Sequence, residues 1–205
     1  MILSMLKKIA NRLRESVNYL IFRCFHIHSK GANNSVSLGA RLIVQKTRVN
    51  IIGRNNHIII GNNVELNNVN ISLTGDNLLL EISNGVMFAE GGRIRIEDKD
   101  NQLRIGENTC LINVFFSLAD EETFINVGKD CLFSAGVVIR SSDSHSIINQ
   151  DNRRINMGKP ISIGDHVWIG NGATILKGVR IGGGQHRWNR NRHYKGRSRK
   201  QHSCR

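Results

Sequence analysis

His145 closes the polar run Arg140-Ser-Ser-Asp-Ser-His145. Imidazole titrates near neutral pH, so it can take a proton from a hydroxyl and later return it. A hydroxyl is a weak nucleophile until such a base assists it, and that assistance is typically worth about 10²–10⁴ in rate. The competing reading is a solvated loop histidine with no role. Asp143 stands two residues earlier. Its carboxylate could orient the imidazole, bind a ligand hydroxyl, or simply form a turn. Trp168 lies between Val167 and Ile169. Residues two apart on a strand share a face, so the indole points away from that pair. An outward indole suits a ligand contact or a subunit interface. His57 and His166 fall at the turns of a repeat, where structural or solvent-facing roles are commoner.

These residues sit on a repetitive chain. An aliphatic residue followed by a small one recurs as Leu38-Gly39, Ile60-Gly61, Ile82-Ser83, Ile105-Gly106, Val127-Gly128 and Ile163-Gly164. Within the last part, Ile163, Ile169, Ile175 and Ile181 fall six residues apart, with Val167, Ala173 and Val179 two residues before three of them. Pairs two apart point to one side of a strand, and a turn after each pair redirects the chain. Three such faces close one triangular coil, and stacked coils bury a column of aliphatic side chains. A lone coil has nothing to bury its inner face against, so stability comes from its neighbours. The extra residues of the longer, earlier units are expected to bulge as loops at the corners. A β-sandwich does not explain the six-residue register, and a helix would need a different apolar spacing. The fold class is therefore all-β, a parallel β-helix of hexapeptide repeats.

Composition agrees. Hydrophobic residues make up 40% of the 205, but aromatics only 5%, so the core must be aliphatic. Twenty glycines and paired asparagines such as Asn33-Asn34 and Asn55-Asn56 suit left-handed turn positions. Of the four cysteines, Cys110 and Cys131 read as small buried thiols, and none has zinc or redox spacing. No cleavable leader or spanning apolar run is apparent, which makes a reducing cytoplasm the expected location.

Both ends depart from the repeat. Residues 1–30 carry Leu6, Ile9, Leu13 and Val17 at helical spacing amid Lys and Arg. A short amphipathic helix is expected there, as a cap over the first coil, with weak contact to a membrane surface as the sharper alternative. The repeat domain is expected over 31–182. Residues 183–205 hold eight Lys or Arg and no acid; without them the net charge of +13 falls to +5. That segment reads as an irregular basic tail. It is either a product of a one-nucleotide frame slip near codons 183–185, since a shifted frame can restore a repeat-like ending, or a genuine basic arm. Nothing else in the chain suggests nucleic-acid binding.

The stretch Ile161-Ser-Ile-Gly-Asp-His-Val-Trp-Ile-Gly-Asn-Gly-Ala-Thr-Ile-Leu-Lys-Gly-Val-Arg-Ile-Gly182 resembles the hexapeptide-repeat acyltransferases. Within them it is most similar to the branch of maltose, galactoside and surface-polysaccharide O-acetyltransferases. Arg140–His145 resembles that branch's active-site loop, and Lys159-Pro160 also matches. The resemblance implies a left-handed β-helix, a homotrimer, and acetyl transfer from acetyl-CoA to a saccharide hydroxyl in polysaccharide assembly. It implies that His145 is the base, that Trp168, Gly170 and Asn171 line the path of the thioester arm, and that Asn113 helps hold the acceptor. Lys177, in a turn, could then meet a CoA phosphate, against the commoner case of a solvated lysine. No metal is expected. A γ-carbonic-anhydrase-like metal enzyme would need three histidines to meet, and His57, His145 and His166 lack a suitable arrangement. A non-catalytic truncated β-helix is the other alternative.

Overall fold

The computed structural model describes residues 25–184. The helix expected before them and the basic tail after them lie outside the described residues. The first coil is β1 (Phe25–Lys30), β2 (Ser35–Leu38) and β3 (Ile43–Gln45). The second is β4 (Thr47–Ile52), β5 (His57–Ile60) and β6 (Glu65–Asn67); the third is β7 (Val69–Asp76), β8 (Leu79–Ile82) and β9 (Met87–Phe88). The fourth is β10 (Gly92–Lys99), β11 (Gln102–Ile105) and β12 (Cys110–Leu111); the fifth is β13 (Val114–Leu118), β14 (Phe124–Val127) and β15 (Leu132–Phe133). The sixth holds β16 (Val138–Arg140), β17 (Ile161–Ile163) and β18 (Trp168–Ile169), and a seventh begins with β19 (Thr174–Ile175) and β20 (Arg180–Ile181).

Each strand pairs in parallel with its counterparts in the coils above and below, giving sheets A (from β1), B (from β2) and C (from β3) along the three sides of a solenoid. The repeat read from the sequence is one physical column: Leu38, Ile60, Ile82, Ile105, Val127, Ile163 and Ile181 are consecutive register partners in sheet B. The six-residue register holds too, with Ile163, Ile169 and Ile175 all buried. The few aromatics of the core lie together, Phe116 and Phe133 with ring centroids 6.5 Å apart.

Two expectations are corrected. Phe25–Lys30, inside the stretch assigned to the cap, is already a strand of the solenoid, because Phe25, Ile27 and Ser29 alternate with exposed His26, His28 and Lys30 in the two-residue period of a strand. The extra residues of the long coils do not only bulge at corners. They also lengthen sheet A, whose strands β7 and β10 span eight residues and shorten to three at β16 and two at β19.

The corners repeat as strictly as the strands. Between sheets A and B, Asn33, Asn55, Asn77 and Asp100 all have positive φ, from 56° to 59°. They form an outer ladder in which each amide donates to the next side chain at 2.9–3.2 Å. Beneath it the buried amides of Asn56 and Asn101 receive backbone N–H groups from the next coil at 2.9 and 2.7 Å. Between sheets B and C, glycines stack so closely that a Cβ on Gly39 would lie 2.5 Å from the backbone of Gly61.

Candidate active site

Among the described residues one coil is far longer than the rest. Sheet A to sheet A takes 36 residues from Val138 to Thr174, where earlier coils take 22 or 23. The surplus is a loop over 141–160 that leaves the corner between sheets A and B and carries His145 at its exposed near end. An isolated antiparallel bridge between Ile148 and Arg154 closes its far end. Asn149 forms that end, accepting the N–H groups of Asp151 and Arg153 on its side-chain oxygen at 3.0 and 2.9 Å.

Packing does not hold this loop. Ile147, Ile148, Ile155 and Met157 are all more than half exposed. Polar contacts hold it instead. Asp120, in the coil beneath, accepts both arms of the Arg154 guanidinium at 2.6 and 2.8 Å and the Ser142 hydroxyl at 2.8 Å. Burial would raise the Asp120 carboxyl, but the Arg154 and Ser142 hydrogen bonds outweigh it and hold it below the ordinary carboxylate value. At the root of the loop, Ser141 and Thr123 share a buried hydroxyl contact of 3.0 Å, and Thr123 donates to Asn101 at 2.9 Å.

Asp143 accepts a charge-assisted hydrogen bond from Lys177 of the coil above and one from Asn156 at 2.9 Å. The Lys177 ammonium, then Asn156, depresses its carboxyl. Asn156 also donates to the His145 carbonyl and accepts from the Ile147 N–H, at 2.6 and 2.7 Å. Asp143 is thus partnered by Lys177 and Asn156 rather than by the imidazole. Lys177 in turn donates to the Asn156 carbonyl at 2.9 Å. The His145 side chain lines an open, mainly polar groove of about 290 Å³, together with Glu97, Asp98, Asp120, Ser144 and Arg154.

The other expected site residues lie elsewhere on the same chain. Trp168 is 70% exposed on the outer face of sheet C, its Nε1 donating to Ser134 Oγ at 3.2 Å. Gly170 and Asn171 form the next corner, between sheets C and A, and a Cβ on Gly170 would meet nothing within 4 Å. Asn113 occupies the corresponding corner two coils lower, at φ 52°, its carbonyl receiving the N–H of Gly136 in the corner between them. One chain therefore brings His145, Asp143 and Lys177 together at one corner. It leaves Trp168, Gly170, Asn171 and Asn113 across the width of sheet A. His57 sits on β5 against Ser35, and His166 faces Asp130 at 3.7 Å, so the three histidines do not meet. Among the described residues no cluster of three or more His, Cys, Asp or Glu could hold a metal ion, and no helix is long and apolar enough to cross a membrane.

Sequence reasoning missed Asp120, Arg154 and Asn156. Asp120 and Arg154 are 34 residues apart, and no spacing rule joins a corner carboxylate to a guanidinium on an irregular loop. The only signal was the break in the repeat.

The solved structure of the polysialic acid O-acetyltransferase OatWY matches at 34% identity, with a TM-score of 0.65, over 76% of this chain and 72% of that one. The chain belongs to the hexapeptide-repeat acyltransferase family. The polysialic-acid-specific acetyltransferase NeuO matches at 26% identity and a TM-score of 0.66, over 78% of this chain and 73% of that one. In sequence, a polysialic acid O-acetyltransferase of Neisseria meningitidis is 51% identical over 39 residues, a match spanning 18% of the length of each protein. No sequence-family model matches the chain. Membership in this family implies an acyl-CoA donor and a saccharide acceptor in general terms.

Proposed function

We propose that this chain transfers an acetyl group from acetyl-CoA to a hydroxyl of an acidic surface polysaccharide, in the cytoplasm, with His145 as the general base. The observation that carries this reading is an exposed imidazole, with no hydrogen-bond partner among the described residues, lining an open polar groove on an otherwise regular solenoid. A base must lie within hydrogen-bond reach of the proton it takes, so the acceptor hydroxyl enters through that groove. The hydroxyl oxygen attacks the thioester carbonyl carbon while the imidazole takes its proton. The tetrahedral intermediate collapses, the carbon–sulfur bond breaks, and the imidazolium returns the proton to the CoA sulfur. The acidic acceptor is suggested by the relatives, whose names specify polysialic acid.

Donor binding falls to Trp168, Gly170 and Asn171. The open space over Gly170 and the exposed indole suit a thin thioester arm. Because these residues lie across sheet A from His145, a complete site needs the His145 corner of one copy beside sheet C of another. Two apolar surfaces support that pairing. One is the loop with Ile147, Ile148, Ile155 and Met157. The other is the outer column of sheet C, in which exposed Ile43 and Trp168 stand at the two ends and half-buried Met87 and Leu132 lie between them, with Glu65 the one charged position. Different patches that meet head to tail form a ring when the rotation between copies closes, and a homotrimer is the ring the family resemblance implies. In that cleft Asn113 would help hold the acceptor, while Asp143 and Lys177 support the loop. Lys177 keeps a CoA phosphate within its possible partners only by sharing its ammonium with Asp143.

CoA release from acetyl-CoA, with an acidic oligosaccharide as acceptor, tests the reading. The chain should turn over and His145→Ala should not. Equal rates for the two proteins would overturn it.

A further inference from the structure

The loop that carries His145 has almost no apolar grip on the solenoid, yet two clamps hold it. The lower clamp, the Asp120–Arg154 pair, is the more enclosed: the side chains are 11% and 26% exposed. It is bidentate, which fixes the guanidinium plane as well as its distance. Arg154 also forms the closing bridge with Ile148, so its backbone sets the far strand of the loop. Asp120 is itself held in place. Its N–H donates to Asp98 at 2.8 Å, and its carbonyl accepts from the Asn101 amide. Through Ser142 the same carboxylate grips the near strand: the Ser142 hydroxyl donates to Asp120 at 2.8 Å and accepts the Ser144 N–H at 3.0 Å, one residue before His145. Arg140 adds a bond to the Ser144 hydroxyl at 2.8 Å. One carboxylate thereby ties both strands of the loop to the corner of the coil below.

We propose that Asp120 and Arg154 are positioning residues, a bidentate latch that sets where the His145 imidazole stands over the groove. This rests on the reading of His145 as the base. Both latch residues also line the groove, but they take no part in the proton transfer or the acyl transfer; their effect on the imidazole passes through Ser142, Ser144 and the loop backbone. Since a displacement of about 1 Å can lower a rate by about 10²-fold, opening the latch acts on turnover. The donor path lies on sheet C and is untouched, so the KM for acetyl-CoA stays as it is.

The test uses the full-length protein and two independent readouts. Arg154→Ala should lower kcat about 10²-fold at unchanged KM for acetyl-CoA. Amide hydrogen exchange over 143–156 should quicken, while the buried strands of sheets A and B keep their protection. Arg154→Lys keeps the charge and loses the fork, so it should fall between the two. Added guanidinium ion, at concentrations well below denaturing, should restore part of the Arg154→Ala rate. Arg153→Ala, on the neighbouring exposed arginine, is the control and should behave as the parent protein. Unchanged exchange over 143–156 in Arg154→Ala would overturn the latch, as would a rate loss that tracks faster exchange through the whole solenoid. If exchange responds as expected but the parent protein transfers no acetyl group, the latch stands and the catalytic reading fails.

Discussion

The solenoid and the loop at its corner are built from one chain on opposite principles. In the solenoid every coil repeats the one beneath it, and position is set by apolar columns and backbone pairing; Ile139, under the root of the loop, is fully buried. In the loop the aliphatic side chains face outward and position is set by Asp120–Arg154 and Asp143–Lys177. Apolar packing is non-directional and tolerates many partners. A bidentate ion pair fixes an orientation but contributes less to stability. The contrast ties stability to the one region and, on the proposed reading of His145, placement of the base to the other.

That division can be broken at several points. The largest effect is expected from His145→Ala, which should cost about 10²–10⁴ in acetyl transfer and leave the thermal midpoint unchanged. A matching fall in the midpoint would show that the loop does contribute to stability. In the solenoid, Ile139→Ala should destabilise by about 2–5 kcal/mol, read by denaturant unfolding, whatever it does to rate. Glycines separate the regions further. A Cβ on Gly75, at φ +147°, would lie 1.7 Å from the Asp98 carbonyl oxygen, whereas one on Gly170 meets nothing. Gly75→Ala should therefore compromise folding. Gly170→Ala should fold normally and raise the KM for acetyl-CoA if the thioester arm passes there.

Acid provides a graded probe. The carboxyls of Asp120 and Asp143 are both depressed in the folded chain. A depressed carboxyl contributes stabilisation that is complete above its unfolded value and is lost as pH falls through the folded one. The loop clamps should thus stay closed at neutral pH and weaken below about pH 4. Exchange over 143–156 should rise there before the strands of the solenoid respond. The smallest effect is expected from Ile148→Ser, an exposed position worth less than about 0.5 kcal/mol to one chain. If Ile148 faces a second copy, the same change should weaken assembly, measured by sedimentation.

Most of the solenoid was legible because its signal is local. Leu38, Ile60 and Ile82 announce a column by spacing alone, and the Asn-Gly corners announce turns. His145 and Trp168 were singled out as candidates through resemblance to a known motif, and the break in the repeat located the loop. The strand at Phe25–Lys30 was not legible. His26, His28 and Lys30 are polar residues of a strand whose inward partners are too few to stand out from the helical pattern before them. The clamps were not legible either. Whether Asp143 would face an imidazole or the Lys177 ammonium depends on how a coil far along the chain comes to lie above it.

The asparagine ladder at the corner between sheets A and B has a bearing on how such a chain can change over generations. Because Asn33, Asn55 and Asn77 make interchangeable contacts, excising the turn from Asn55 to Asp76 would bring Asn77 onto Asn33 and heal the seam. Lineages could therefore gain or lose turns below the fourth coil as whole modules, altering reach along the axis while the neighbourhood of His145 descends intact.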